Sequence, residues 1–154
     1  IRIHGDYHLG QVLGTGKDFV IMDFEGEPAR PISERKLKQS PLRDVAGMIR
    51  SFHYAPHAAL FLNQSFRPED REVLERWIEP WFRSVTMRFT RSYFDALGDS
   101  PIVSPNARDR TILLNALLAE KAAYELGYEL NNRPAWTIIP LKGIHDVIAD
   151  ARME

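Results

Sequence analysis

A chain of 154 residues with 44% hydrophobic and 27% charged residues has the length and balance of one globular domain, which excludes collagen-like, low-complexity and largely disordered classes. Twenty Lys and Arg against 21 Asp and Glu leave a net charge of -1, without the basic excess that marks a nucleic-acid or anionic-membrane partner. The absence of Cys removes disulfides, thiolate zinc sites and Cys nucleophiles and fits a cytoplasmic setting, and no apolar run reaches the ~18 residues of a membrane span.

Two unlike parts follow along the chain. Val12-Leu13 and the run from Phe19 to Met22 read as short strands, and the Gly/Thr/Lys/Asp stretch at 14–18 reads as the turn of a β-hairpin. Residues 26–40 carry two prolines and many charges and are expected to form an ordered surface loop. From Ser40 the apolar period becomes helical. Ser40-Pro41 supplies an N-cap and a first-turn Pro; Leu42, Val45, Ala46, Ile49 and Phe52 form a stripe, and Pro56 should end or kink the helix. A second helix should start near Pro68 and stop at Gly98, with Pro80 kinking it. Its stripe of Leu74, Trp77, Ile78, Trp81, Phe82, Val85, Phe89 and Tyr93 is expected in the core. Ser104-Pro105 repeats the cap signal for a third helix to about Tyr128, with Leu113, Ala116, Leu117, Ala123 and Tyr124 as its stripe. Pro134 and Pro140 bracket an irregular link before a final helix over 141–151. The expected fold is mainly α with a small β-hairpin.

The chemistry concentrates in HGDYHLGQ at 4–11 and in the acidic run that follows the hairpin, where Asp23 and Glu25 flank Phe24. The hairpin folds the chain back between Asp6 and Asp23, so both carboxylates can face one small volume. Phosphoryl transfer needs such a set: one carboxylate to take the proton of an attacking hydroxyl, and a second with an amide oxygen to hold Mg²⁺ against nucleotide phosphates. A zinc hydrolase fits less well, because HGDYH is not HExxH and no third His lies nearby in sequence. The GTGK stretch at 14–17 fails as a phosphate loop: position 11 is Gln where Gly is required, and Asp18 replaces Ser or Thr.

These motifs resemble those of the aminoglycoside phosphotransferase-like kinases, small-molecule relatives of the protein kinases. HGDYHLGQ at 4–11, DFEGEPARP at 23–31, QSPLRDVAG at 39–47 and EKAAYELGYELNNRP at 120–134 are similar to the maltokinase family within that group. The resemblance implies the C-lobe portion of a protein-kinase-like fold, ATP and Mg²⁺, and transfer of the γ-phosphoryl to the anomeric hydroxyl of maltose. It implies Asp6 as catalytic base and Gln11 and Asp23 as metal ligands, with Glu25 in the same acidic motif able to reach metal or sugar. Gln11 stands where Asn is usual, one methylene longer. The family is often fused to trehalose synthase, so such a domain is a partner to look for.

Residues 1–40 then form the catalytic and metal-binding segment, and 41–154 a helical body with a sugar-binding segment. The Gly-rich loop and strand Lys that grip nucleotide phosphates are expected in an N-terminal lobe upstream, so the chain reads as a fragment that is inactive alone. The alternatives are a kinase for another small hydroxylated substrate and a non-catalytic helical accessory domain.

His4 and His8 read either as functional imidazoles or as supports of the loop. Asp44 reads as a first-turn acid or as a group bonding the catalytic-loop backbone. Arg30, Arg35, Lys36 and Lys38 read as a solvated charged loop, and Arg43 and Arg50 as exposed salt-bridging residues. Glu120, Tyr124 and Tyr128 share one helical face, with Lys121, Glu125 and Glu129 on the next. With Asn131, Asn132, Arg133 and Trp136, the residues Glu120, Tyr124, Glu125 and Tyr128 supply the carboxylates, amides and aromatic faces of a sugar site. A charged outer helix face is the plainer reading of the same residues.

Overall fold

The computed structural model describes residues 1–62 and 66–151. A single 3₁₀ turn, Leu9–Gln11, leads into an antiparallel hairpin of β1 (Val12–Gly14) and β2 (Phe19–Ile21). Five helices follow: α1 (Ile32–Arg35), α2 (Leu42–Leu62), α3 (Pro68–Leu97), α4 (Ala107–Asn132) and α5 (Ile138–Ala151), with a 3₁₀ turn, Pro134–Trp136, before the last.

The hairpin pairs Val12 with Ile21, Leu13 with Val20 and Gly14 with Phe19. Thr15 closes its turn, its N–H donating to Asp18 O at 2.8 Å while its hydroxyl accepts from Asp18 N–H at 3.0 Å. Beyond the strands Met22 N–H donates to Gln11 O at 2.9 Å, which sets Gln11 beside Asp23.

The core gathers Leu42, Val45, Ala46 and Ile49 of α2 against Leu117 of α4, with Phe82, Phe89, Tyr93 and Phe94 of α3 packed on it. Helix α2 therefore lies at the centre, flanked by α3, α4 and α5. Ser40 caps it as expected, its hydroxyl accepting from Leu42 N–H at 3.3 Å.

Several expectations need correction. Of the two outcomes expected at Pro56, an end or a kink, the end is excluded: α2 continues to Leu62. Phe52, His53, His57 and Leu60 are buried on both sides of the proline. Packing of that face holds the helix against the hydrogen bond a proline removes. Residues 26–40 contain the short helix α1. Asn106, rather than Ser104, caps α4, accepting from Arg108 N–H at 2.8 Å; Ser104 instead bonds Asn106 N–H and Asp109. Pro140 lies inside the first turn of α5, where its missing N–H costs nothing.

The stripe on α3 divides. Ile78, Phe82, Val85, Phe89 and Tyr93 are half-buried, whereas Trp77 is 65% and Trp81 42% exposed. Their spacing matches a helix, but the face they share lies outside the core. On α4 the buried face is displaced from the expected one. Leu113, Ala116, Ala123 and Tyr124 are exposed, and Leu117, Ala122 and Glu129 are buried. Among the described residues no helix is long and apolar enough to cross a membrane.

Candidate active site

The segment 4–11 is fixed to the body through its own backbone. The Asp44 carboxylate, in the first turn of α2, accepts from His4 N–H at 2.7 Å and from Gly5 N–H at 2.9 Å. Helix α2 approaches so closely at Gly47 that a Cβ there would stand 2.7 Å from Tyr7 O. Leu9 N–H donates to the Ser51 hydroxyl at 2.9 Å. The buried His4 ring bridges outward, its Nε2 lying 2.7 Å from Met22 O and its Nδ1 3.3 Å from Asp6 N. A neutral ring with the proton on Nε2 satisfies both contacts. His8 accepts from Gly10 N–H at 3.0 Å and caps the 3₁₀ turn.

This frame places the Asp6 carboxylate between two cationic or donor groups. His8 Nε2 is 3.6 Å from Oδ2, and Lys121 Nζ of α4 is 3.8 Å from Oδ1. The polar contact with His8 pulls the Asp6 carboxyl below the usual carboxylate range, against an opposing desolvation, and the charge of Lys121 adds to it. Asp6 is therefore ionised at neutral pH and half-sheltered from water.

Gln11 and Asp23 meet across the hairpin base, Gln11 Nε2 donating to Asp23 Oδ2 at 3.2 Å. Asp23 holds φ at 62°, a left-handed backbone that Asp tolerates better than most residues. A carboxylate and an amide, both exposed enough to admit water, form an oxygen donor set that suits Mg²⁺, an ion that keeps several waters. The amide presents Oε1 to an ion only after its terminal group turns. Glu25 is exposed, its backbone oxygen accepting from Arg35 Nη1 at 3.4 Å. Among the described residues no three His, Cys, Asp or Glu side chains gather as a metal cluster.

A cleft of about 490 Å³ opens beside Asp6 and His8. Helix α4 lines one wall with Lys121, Tyr124, Glu125, Tyr128 and Glu129, followed by Arg133 at its C-cap; Tyr54 of α2 and Glu27 are among the residues opposite. Four of the eight expected sugar residues thus lie in this cleft with Asp6: Tyr124, Glu125, Tyr128 and Arg133. The other four have different surroundings. Glu120 is clamped by Arg43 at 2.8 and 2.9 Å and by Arg30 at 3.3 Å, so it ties α4 to α2 and to the loop. Arg43 foremost holds its carboxyl below the ordinary range. Asn131 and Asn132 donate to Gly127 O and Tyr128 O of their own helix. Trp136 stacks on Phe61, with ring centroids 5.3 Å apart, and under the Arg133 guanidinium.

Glu27, Tyr54, Lys121 and Glu129 are charged or phenolic residues of the cleft that sequence reasoning did not assign to the site. Glu27 Oε2 is 3.5 Å from Lys121 Nζ. Its signal was available, since DFEGE extends the acidic motif by one further carboxylate. Tyr54 carried no signal. Its phenol is raised well above the ordinary value, by burial first and then by the charges of Glu125 and Glu129, and so remains a donor. Glu129 is 1% exposed and paired with Arg133 at 2.7 and 2.9 Å. Arg50, expected at the surface, is buried and bonded to Glu125.

No family model matches the chain. A glucosamine kinase of Streptacidiphilus jiangxiensis is 23% identical over 150 residues, which are 97% of this chain and 32% of that protein. A glucosamine kinase of Mycolicibacterium smegmatis is 30% identical over 142 residues, covering 89% of this chain and 32% of its own length. Among solved structures, crystal form B of a glucosamine kinase superposes with a TM-score of 0.77 at 25% identity, over 96% of this chain and 34% of that one. A glucosamine kinase in complex with glucosamine, ADP and inorganic phosphate gives a TM-score of 0.68 over 97% of this chain and 35% of that one. The chain spans about a third of the length of the relatives it matches. These matches support a relation to sugar kinases and give none to the maltokinase, maltose or trehalose synthase expected from the motifs. The chain is similar in sequence and in fold to one third of a glucosamine kinase.

Proposed function

We propose that this chain is the catalytic-loop and acceptor-binding portion of an ATP-dependent sugar kinase whose acceptor is an amino sugar of the glucosamine type. The observation that carries the reading is the convergence of Asp6 with the Tyr124–Glu129 face of α4 in one cleft. Relatives named as glucosamine kinases support it, as does a fold neighbour that holds glucosamine and ADP.

In this reading Asp6 accepts the proton of the attacking sugar hydroxyl while the bond from that oxygen to the γ-phosphorus forms and the bond to ADP breaks. His8 and Lys121 hold the carboxylate ionised and aimed. Gln11 and Asp23 would hold Mg²⁺, which supplies charge neutralisation at the phosphates. Asp44 and His4 keep the loop in place through its backbone. Glu25 stays an outer member of the acidic motif. The phosphate-gripping elements belong to the part of the kinase that the relatives have and this chain does not span.

The charge of the cleft favours an amino sugar over maltose. Asp6, Glu27, Glu125 and Glu129 bring four carboxylates to its walls, against three cations: Lys121, Arg133 paired to Glu129, and Arg50 paired to Glu125 from behind the wall. An ammonium group on the acceptor complements that excess, and a neutral disaccharide has nothing to offer it. Tyr124 and Tyr128 supply apolar faces for the ring.

The test is ADP release by the full-length protein with Mg²⁺-ATP and glucosamine, glucose or maltose. The reading expects glucosamine to have the highest kcat/KM, with glucose lower because it leaves the remaining negative excess of the cleft without a counter-charge. Preference for maltose would restore the maltokinase reading, and no sugar-dependent release at all would remove the kinase assignment.

A further inference from the structure

Arg50 sits outside the cleft yet governs one of its walls. Its side chain is 4% exposed, at the junction of α2, α4 and α5. A guanidinium so deep needs partners on every side, because an unpaired buried charge is costly. Its Nε donates to Glu125 Oε2 at 2.8 Å, and its Nη2 is 2.8 Å from the same oxygen. Its Nη1 is 3.2 Å from His53 Nδ1. Burial first, and then the charge of Arg50, press the His53 pKa down to about 3, so that ring is neutral and its Nδ1 accepts.

Helix α5 makes room for this arrangement. A Cβ at Gly143 would stand 1.9 Å from Arg50 Nη1 and 2.6 Å from its Cζ. Any side chain at 143 therefore displaces the guanidinium. The glycine answers a close approach across helices, in a helix interior where glycine is otherwise unfavourable.

Both contacts of Arg50 fall on Oε2 of Glu125, the Nε hydrogen bond and the close approach of Nη2, and neither uses Oε1, while Glu125 lines the cleft. We propose that Arg50, seated against Gly143, is a positioning residue for the acceptor: it fixes the Glu125 carboxylate in the wall that faces the sugar. This rests on the sugar-kinase reading above. Neither Arg50 nor Gly143 lines the cleft, so both act on substrate through wall residues: Glu125, which Arg50 binds, and Tyr54, over whose ring the guanidinium lies at 5.8 Å.

The electrostatics agree. Burial pushes the Glu125 carboxyl up, and Arg50 is the largest influence in the opposite direction. The other charged or titratable groups around Glu125 are Tyr54 from α2, Lys121 and Glu129 from α4, and Asp6, His8 and Glu27 across the cleft. Lys121 is the second cation, and Glu129 works against ionisation. Without Arg50 the carboxyl loses its place and its chief reason to stay ionised.

The experiment uses the full-length kinase with Arg50→Met, Arg50→Lys, Gly143→Ala and the Arg50→Met/Gly143→Ala double variant. Sugar KM, ATP KM, kcat and Tm are read for each. Arg50→Met should raise the sugar KM roughly tenfold or more. Its kcat and ATP KM should stay within about twofold, the signature of lost acceptor binding. Arg50→Lys should recover part of the loss, since the charge returns without the fork. Gly143→Ala should also raise the sugar KM, from a helix that does not line the cleft, and should add little in the Arg50→Met background. An unchanged sugar KM in Arg50→Met overturns the proposal. So does a parallel fall of kcat and both affinities with Tm, without recovery by Lys, which assigns the ion pair to stability alone. If Arg50→Met does not fold, Arg50→Lys and Gly143→Ala carry the same test. A wild-type protein that phosphorylates no sugar overturns the kinase reading and this proposal with it, whereas an active wild type with unaltered variants overturns this proposal only.

Discussion

Helices α2 and α3 present apolar stripes of the same period, yet their fates differ. The stripe of α2 is buried throughout, with Leu42, Val45, Ala46 and Ile49 in the core. On α3, Phe82 and Phe89 pack against that core, while Trp77 and Trp81 stand in solvent. Periodicity states which residues share a face of a helix; it does not state whether another element covers that face. Helix α2 is covered because α3, α4 and α5 surround it and because the 4–11 loop is tied to it through Asp44 and Ser51. The site inherits the rigidity of the central helix, and the outer stretch of α3 contributes little to it.

Four substitutions sharpen this contrast, the largest expected effect first. Asp6→Asn in the full-length protein should lower kcat by about 10²- to 10⁴-fold with an unchanged Tm, because a base is lost without loss of shape. Steady-state kinetics with a melting curve checks it. Leu42→Ala empties a fully buried position at the start of α2 and should cost about 2–5 kcal/mol in denaturant unfolding. A cost near zero would mean that α2 is not the centre of the core.

His8→Ala addresses the charge state of the base. Asp6 acts ionised, and its lowered pKa places the loss of activity at a pH below the ordinary carboxylate range. Removing His8 removes the largest cause of that shift. The acid limb of the kcat/KM profile should move to higher pH, while kcat near neutrality falls less than about tenfold. An acid limb that stays in place would take His8 out of the account. Trp77→Ser, the smallest effect, should alter stability by less than about 0.5 kcal/mol, as expected for a surface position. A loss comparable to that of Leu42→Ala would mean that an element covers Trp77 after all.

The hairpin, the cap at Ser40 and the stop at Gly98 were legible because each depends on a few neighbouring residues. Gly98 N–H indeed donates to Phe94 O at 3.1 Å, closing α3. Whether α2 would end at Pro56 was left open by the sequence, since the force that carries the helix past the proline comes from residues distant in sequence. The same limit governs α4. Its buried face includes Glu129 and leans on Glu125, and a reading that sends carboxylates to the surface shifts the stripe by a position. Those carboxylates are inside because Arg50 and Arg133 accompany them, and the Arg50–Glu125 pairing spans 75 residues.

The candidate site divides along the same line. The meeting of Gln11 with Asp23 was legible from local motifs joined by one hairpin. The α4 wall of the cleft was legible as a segment and less so residue by residue. Asn131 and Asn132 have the chemistry of sugar ligands but bond to their own helix, and Trp136 packs on Phe61. Glu27 reaches the cleft only because residues 26–40 fold back against α4, where Arg30 meets Glu120 and Glu27 meets Lys121.

The central claim is that Asp6 and the Tyr124–Glu129 face of α4 form one acceptor site. A crystal structure of the full-length protein with glucosamine and a non-hydrolysable ATP analogue tests it most directly. The account predicts a sugar hydroxyl within about 3 Å of an Asp6 carboxylate oxygen, with the ring against Tyr124 or Tyr128 and the amine beside Glu27, Glu125 or Glu129. A sugar bound elsewhere, with this cleft filled only by water, would contradict it.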